Sequence, residues 1–303
     1  MSMDAIRKRI VALSVLTTFC SALAIGQTGR GLDTTMFIVV GEGLSAGMAN
    51  YGLSSVVQQY SYPAQVAAQM KTAFVQPLIQ PPGIGDVVGY PGQEVKLQTY
   101  PQAAVRQFFQ TDQYKQTVPT LFVMNLSVPG LTVADSISMR PVTPVAQRNM
   151  KQTAVNLILG FPSLFLDNVP LWSQLEYARA MNPSLALVEL GYYEALDAAV
   201  NGDPTRMPDP NTFRANYTTI LSGLRANRAD VIATTIPNPL DTAYFATPSQ
   251  AAGLVATSPF ILTAGYQIAP GDYLTRNGME AIAAQFWNRS ISPLDRKSTR
   301  LNS

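Results

Sequence analysis

Four short apolar runs, each stopped by a turn and followed by helical spacing, constrain this chain more than any other feature. Met36-Phe37-Ile38-Val39-Val40 ends in Gly41, and Leu121–Leu126 passes Asn125 into Pro129-Gly130. Leu185–Leu190 ends in Gly191, and Val231–Ile236 closes on Pro237. Short β-branched runs without polar alternation predict strands buried on both faces. Helical spacing follows at Tyr62–Met70, with Pro63 in the first turn, and at Ala146–Leu159, Leu171–Met181 and Phe213–Ala226. A last helix is predicted over Met279–Trp287, after Asn277-Gly278. Strand and helix in alternation predict a mostly parallel sheet with helices on both faces. The working loops then lie at the carboxyl ends of the strands, beginning at Gly41, Asn125, Gly191 and Pro237. The Pro-, Gly-, Gln- and Tyr-rich stretch Val75–Pro119 reads as a long ordered excursion. No repeat or linker interrupts the pattern, so one domain is expected.

Composition narrows the chemistry. Hydrophobic residues make up 47% of the 303 residues and charged residues 13%, enough for a sizeable core. A net charge of +2 with no basic cluster in the body of the chain argues against nucleic acid as a partner. There is no histidine, which removes the usual general base near neutral pH and the commonest transition-metal ligand. The single cysteine, Cys20, leaves no disulfide and no thiolate metal site. Ser-His-Asp and Cys-His chemistry cannot run in such a chain. No metal or other cofactor is expected.

The two ends read as processing features. Arg7, Lys8 and Arg9 precede an uncharged run from Ile10 to Ala24 that finishes in Ala22-Leu23-Ala24. That is the pattern of a signal peptide over residues 1–24, of bacterial type, and it predicts export to periplasm, outer envelope or medium. Leu16-Thr17-Thr18-Phe19 lacks the small residues that a lipoprotein cysteine at Cys20 would need. No segment beyond the leader is long and apolar enough for a membrane helix. Asp295–Ser303 matches the in-frame translation of a common DNA sequencing adapter and is read as a non-native tail. The domain is therefore expected over residues 30–294, incomplete at its carboxyl end.

The loops after the first three runs carry a family pattern. Gly41-Glu42-Gly43-Leu44-Ser45-Ala46-Gly47 resembles the GDSLSAG block that opens the SGNH/GDSL esterases and lipases. Asn125-Leu126-Ser127-Val128-Pro129-Gly130 resembles their second block, whose glycine lends an N–H to the oxyanion hole. Gly191-Tyr192-Tyr193-Glu194 falls where the third block, Gly-x-Asn-Asp, belongs. The resemblance spans about Met36 to Pro237. It implies a three-layer, flavodoxin-like α/β fold with a mostly parallel sheet, truncated at the carboxyl end.

The departures bear on function. The position of the family nucleophile is Gly43, and without an Oγ no acyl-enzyme forms by the family route. The neighbouring aspartate has become Glu42, the oxyanion asparagine falls on Tyr193, and no Asp-x-x-His occurs. Of the four name-giving positions only Gly130 is retained. Ser45 reads as a helix N-terminal serine satisfying backbone donors, with replacement nucleophile as the sharper alternative. Glu42 reads as an acceptor for the surrounding loops, with general base as its alternative. Tyr192 and Tyr193 are expected to line a pocket, and Glu194 to cap the helix that follows. Trp172, Tyr177 and Met181 fall at helical spacing and read as core. Asn216-Tyr217-Thr218 is a sequon expected to be silent.

The function expected from these features is an exported, catalytically inactive SGNH/GDSL-like protein binding a small ester, acyl or glycan-like ligand. One alternative is a carboxylic ester hydrolase with an unusual mechanism built on Glu42 or Ser45. The other is a structural or partner-binding envelope protein.

Overall fold

The computed structural model describes residues 31–49, 52–79, 83–85, 123–145, 147–160, 171–259, 262, 268–269, 271–287 and 300–301. The chain divides into two compact units, Met1–Asp33 and Thr34–Ser303. Of the first, only residues 31–33 are described; they are exposed and without regular structure. The leader and Cys20 lie outside the described residues, as do Ala146 and most of the tail after 294. So does the greater part of the Val75–Pro119 excursion.

In chain order the second unit runs β1 (Phe37–Gly41), α1 (Gly43–Ala46), β2 (Gly52–Leu53), α2 (Ser55–Gln58), α3 (Tyr62–Met70) and β3 (Ile84–Gly85). Next come α4 (Val133–Ser138), α5 (Met150–Ile158), α6 (Gln174–Ala180), β4 (Leu185–Glu189) and α7 (Tyr192–Asn201). After a 3-10 turn at Pro204–Arg206 follow α8 (Pro210–Arg225) and β5 (Asp230–Ala233), with a second 3-10 turn at Pro239–Asp241. The last elements are β6 (Phe245–Ala246), α9 (Pro248–Leu254), β7 (Tyr273–Thr275), α10 (Arg276–Trp287) and β8 (Arg300–Leu301).

The central sheet is parallel, in the order β1-β4-β5. The segment after Val123 lies along the free edge of β1. Val39 N–H donates to Met124 O at 2.9 Å, Leu126 N–H to Val39 O at 2.9 Å, and Val128 N–H to Gly41 O at 3.0 Å. These alternating bonds are the start of a parallel ladder, although only the Val39–Asn125 bridge is regular. Counted by their place in the chain, the four extended segments stand in the spatial order 2-1-3-4. The molecule is thus a mixed α/β protein with a mostly parallel central sheet, as expected. The smaller antiparallel pairings, β2 with β3 and β6-β7-β8, were not foreseen, because strands of two or three residues leave no periodicity to read.

Side-chain alternation along the strands separates two layers of core. Phe37, Val39, Leu185 and Leu187 face α3 and pack with Ala67, Tyr62, Met70 and Phe74. Ile38, Val40, Ala186 and Val188 face the other way, against Leu157 and Ile158 of α5, Leu175 and Ala178 of α6, and Ile220 and Leu224 of α8. Both faces of β1 and β4 are therefore covered, which is why their sequences are apolar throughout. β5 is different: Val231 is half-buried, but Asp230, Ile232 and Ala233 are exposed. Trp172, Tyr177 and Met181 pack in or against the larger core, as their spacing predicts.

Caps set the helix boundaries and shift several of them from the periodicity. α5 starts at Met150, not Ala146, because Asn149 Oδ1 accepts the N–H groups of Lys151 and Gln152. α6 starts at Gln174 behind a capping box of Ser173 and Glu176. α8 starts at Pro210, where Asp209 accepts Thr212 N–H at 2.9 Å and proline occupies the first helical position.

One side chain ties the sheet to the helical layer. Gln174, fully buried, donates through Nε2 to Gly41 O at 2.8 Å and Leu126 O at 2.7 Å, while its Oε1 accepts from Ser136 Oγ at 2.6 Å. It clamps β1 and the Val123 segment together just before their loops. Gln174→Ala is expected to destabilise the fold by about 2–4 kcal/mol, since it strands buried acceptors and a buried hydroxyl. Urea denaturation followed by circular dichroism measures it, and a loss below about 0.5 kcal/mol would contradict the clamp.

Candidate functional site

The loops beginning at Gly41, Asn125 and Gly191 converge at the carboxyl ends of the sheet, as predicted from their strand ends. They are joined there by buried carboxyl groups. Glu42, Glu189 and Glu194 are each less than one tenth exposed.

Each of these carboxyls serves backbone donors of a different segment. Gly191, with φ of +103°, begins α7 but has no side chain to cap it. Glu42 takes that role from β1's loop: its Oε1 accepts Tyr192 N–H at 2.9 Å and its Oε2 accepts Tyr193 N–H at 2.7 Å. Glu189, the last residue of β4, reaches the other way. Its Oε2 accepts Ser45 N–H at 3.1 Å, Glu42 N–H at 3.3 Å and the Ser45 hydroxyl at 2.8 Å. Glu194 Oε1 accepts Val133 N–H at 2.7 Å, at the start of α4. Glu194 therefore caps a helix from the second loop, and it also stands in the first turn of its own helix, as the sequence suggested, with its carboxyl bonded to its own backbone N–H. Its Oε2 is buried without a hydrogen-bond partner.

Ser45 is enclosed. It is fully buried, and its hydroxyl lies 2.8 Å from both Glu189 Oε2 and Ser127 Oγ. Its single hydroxyl proton can serve only one of the two at a time. The hydroxyl–carboxylate spacing is that of a nucleophile and its base. Neither group, however, is open to solvent. Asn125 completes the network, donating from Nδ2 to Ser45 O at 2.9 Å and accepting Ser127 N–H on Oδ1 at 3.2 Å.

Gly41 and Gly43 differ in kind. A Cβ on Gly41 would lie 2.1 Å from Ser45 Oγ and 3.0 Å from Ser127 Oγ, so the network needs a glycine there. Among the described residues a Cβ on Gly43 would meet only Met48 Sδ, at 3.7 Å, an ordinary contact. The missing side chain at 43 is thus not a steric requirement of the fold. Gly130 keeps a left-handed φ of +76°, which favours glycine at that turn. Tyr192 packs in a core with Leu196, Val200, Tyr244 and Phe245, so it does not line the site as expected. Tyr193 is half-buried, and burial, with Asp197 next, raises its phenol to about 12, so it stays protonated.

By sequence, Asn125 and Ser127 belong to a working loop, but neither their side chains nor that of Glu189 had an assigned role. Glu189 had a visible signal, a lone charge at the end of an apolar strand, but its partners lie more than 140 positions away. Among the described residues no three His, Cys, Asp or Glu side chains are grouped so as to hold a metal ion. Comparisons of the chain with family models, with curated proteins and with solved structures find no match.

Burial dominates the electrostatics. It is the largest influence on Glu42, followed by Glu189 and Glu194; against the two N–H bonds, these push the Glu42 carboxyl up to about 9. Glu189 and Glu194 are also raised, burial being the first cause for both. Among the described residues, no cation acts on Glu42 or Glu189.

Two predictions follow from this geometry. Gly41→Ala should cost about 2 kcal/mol or more, whereas Gly43→Ala should change stability by less than about 1 kcal/mol. Equal effects in chemical denaturation would refute the distinction. The second concerns pH. The raised carboxyls hold protons in the folded state that the unfolded chain releases above 4.5, so stability is full on the acid side and is lost as pH rises toward 9. Melting temperature should fall from about pH 5 to about pH 9, and Glu42→Gln should flatten the fall. A profile that is flat, or identical in the variant, would show that Glu42 keeps its charge throughout.

Proposed function

We propose that the protein is an exported SGNH/GDSL-like protein whose degenerate site binds a small acyl, ester or glycan-like ligand without hydrolysing it. The observation that carries this reading is the pairing of an empty position with a spent hydroxyl. Gly43 stands where a nucleophile would be, and the nearby Ser45 is buried and bonded to Glu189 and Ser127. The loss of an activated nucleophile costs acyl-transfer enzymes several orders of magnitude in rate.

The architecture supports the family reading without requiring it. The spatial order 2-1-3-4 is that of a flavodoxin-like sheet, in which ligands bind outside the carboxyl ends at the point where strand order reverses. Here that point lies between β1 and β4, where Glu42 and Glu189 meet. Gly130, which the resemblance aligns with the family's oxyanion donor, has a left-handed φ of +76°, in keeping with a glycine at that turn.

A second reading has its own support. Both Glu42 oxygens are occupied, Ser45 is sealed, and Tyr192 is committed to a core, all of which suits a site that has been filled and a protein that works through its surface. The hydrolase reading is the weakest, because neither Glu42 nor Ser45 has a free, accessible atom for it.

The test combines turnover and binding. Wild-type protein and Gly43→Ser should both leave p-nitrophenyl butyrate unhydrolysed above background, while a panel of acyl esters and short glycans should contain a class that raises the melting temperature. Saturation at about 100 times Kd corresponds to about 2.7 kcal/mol of added stability. Turnover by the wild type that Glu42→Gln abolishes would instead establish the hydrolase. A panel with no stabilising member would favour the filled-site reading.

A further inference from the structure

The end of α7 forms one wall of a pocket of about 220 Å³, none of whose lining residues belongs to the network around Glu42. Ala199 and Gly202 supply that wall, and Pro204 and Met207, at the first 3-10 turn, supply the next. Pro239 and Leu240 of the second 3-10 turn stand opposite in sequence, and Tyr273 of β7 completes the lining.

These walls are fixed by the protein's own bonds. Gly202, with φ of +59°, ends α7 and donates to Ala199 O at 3.1 Å. Asp203 Oδ1 accepts Thr205 N–H at 3.0 Å, and Asn238 Oδ1 accepts Leu240 N–H at 3.2 Å, so each turn is pinned by the residue before it. Ala199, Leu240 and Tyr273 also pack on the buried cluster of Tyr192, Leu196, Val200, Tyr244 and Phe245. The pocket is the open outer side of that small core, and it is formed before any ligand arrives.

Polarity and size restrict what fits. The two prolines bring no N–H. Asn238, besides holding Leu240, donates from Nδ2 to Asp241 Oδ1 at 3.1 Å, and Asp203 Oδ1 also takes the Thr205 hydroxyl at 2.6 Å. Arg206, next to Met207, pairs with Asp197 at 2.7 Å. Among the described lining residues Asp203 is the one charged group, so an anion would meet a carboxylate and no cation. Water, which needs two to four polar partners, is poorly held in such a space and easily displaced by an apolar group. An apolar cavity of about 150 Å³ holds a benzene ring, so this one has room for a ring and one or two further atoms. The Met207 thioether suits a ring edge, and its 47% exposure shows that the mouth is open to water.

We propose that this pocket, between the end of α7 and the two 3-10 turns, binds a small neutral aromatic molecule: one six-membered ring with a short uncharged polar substituent at the mouth. The site is separate from the degenerate site and does not depend on the ligand reading given to it.

Titration of the full chain with p-cresol, benzyl alcohol and benzoate, followed by proton–nitrogen correlation NMR, tests it. The N–H signals of Ala199, Gly202 and Leu240 should move for the two neutral ligands with Kd on the order of 1 mM, as expected for molecules of so few atoms. Benzoate should bind at least tenfold more weakly, because of Asp203. Ala199→Leu extends a side chain into the space at a helical position, and should weaken p-cresol at least tenfold while keeping the circular dichroism spectrum. Met207→Asp, on an exposed position, sets a second carboxylate at the mouth and should weaken it at least threefold without touching the core. The proposal is overturned by unmoved lining signals up to about 20 mM ligand, well beyond that Kd. It is equally overturned by benzoate binding as tightly as benzyl alcohol, or by both variants binding as the wild type does. Shifts confined to Gly43 and Tyr193 would place the ring at the degenerate site and remove only this proposal. Pocket shifts with no response to acyl esters or glycans would remove only the ligand reading of the degenerate site.

Discussion

Backbone N–H groups at the ends of helices must be satisfied, and at the heart of this molecule carboxyl groups from other loops satisfy them. Glu189 serves the turn of α1, Glu42 serves the start of α7, and Glu194 serves the start of α4. The result is a relay in which strand β4 holds the first loop, the first loop holds the third, and the third holds the second. None of the three loops can move without breaking a hydrogen bond made by another. Because the carboxyls are buried, the same relay carries an electrostatic cost that depends on protonation. A site built this way is rigid, which suits binding or structural support better than a reaction requiring a free base.

The sheet beneath makes that convergence available. Parallel strands place their carboxyl ends together, and the two-faced burial of β1 and β4 fixes their register. Gln174 then locks β1 to the Val123 segment immediately below the loops. The tight contact of Ser45 Oγ with the space beside Gly41 shows how little freedom remains above it. The same lack of freedom holds for the serine in the first loop, Ser45, which is fully buried. Its hydroxyl is consumed in holding the loop against Glu189.

Much of the architecture was legible beforehand, and the reason is local. Runs such as Phe37–Val40 and Leu185–Val188 are apolar at every position, and only a strand buried on both faces requires that of so short a segment. Helix bodies were legible by spacing, whereas their ends moved by several residues wherever Asn149, Ser173 or Asp209 supplied a cap. The short strands β2, β3, β6, β7 and β8 were not legible, since two or three residues carry no period. Tyr192 illustrates a further limit. Beside a loop glycine it reads as pocket lining, yet it is claimed by Tyr244 and Phe245 from a part of the chain fifty residues on.

By itself the sequence determined the alternation of strands and helices, the apolar character of both sheet faces, and the absence of histidine and of a side chain at residue 43. Those are properties of composition and of near neighbours, and they need no knowledge of what meets what. Only the tertiary structure decided what Glu42, Glu189, Glu194 and Ser45 do, because each finds its partners across the fold: Glu42 and Glu189 at separations of about 150 positions, Glu194 at 61. A buried carboxyl can be a base, a ligand or a cap. Its partners settle which, and chain folding alone brings them within hydrogen-bond distance.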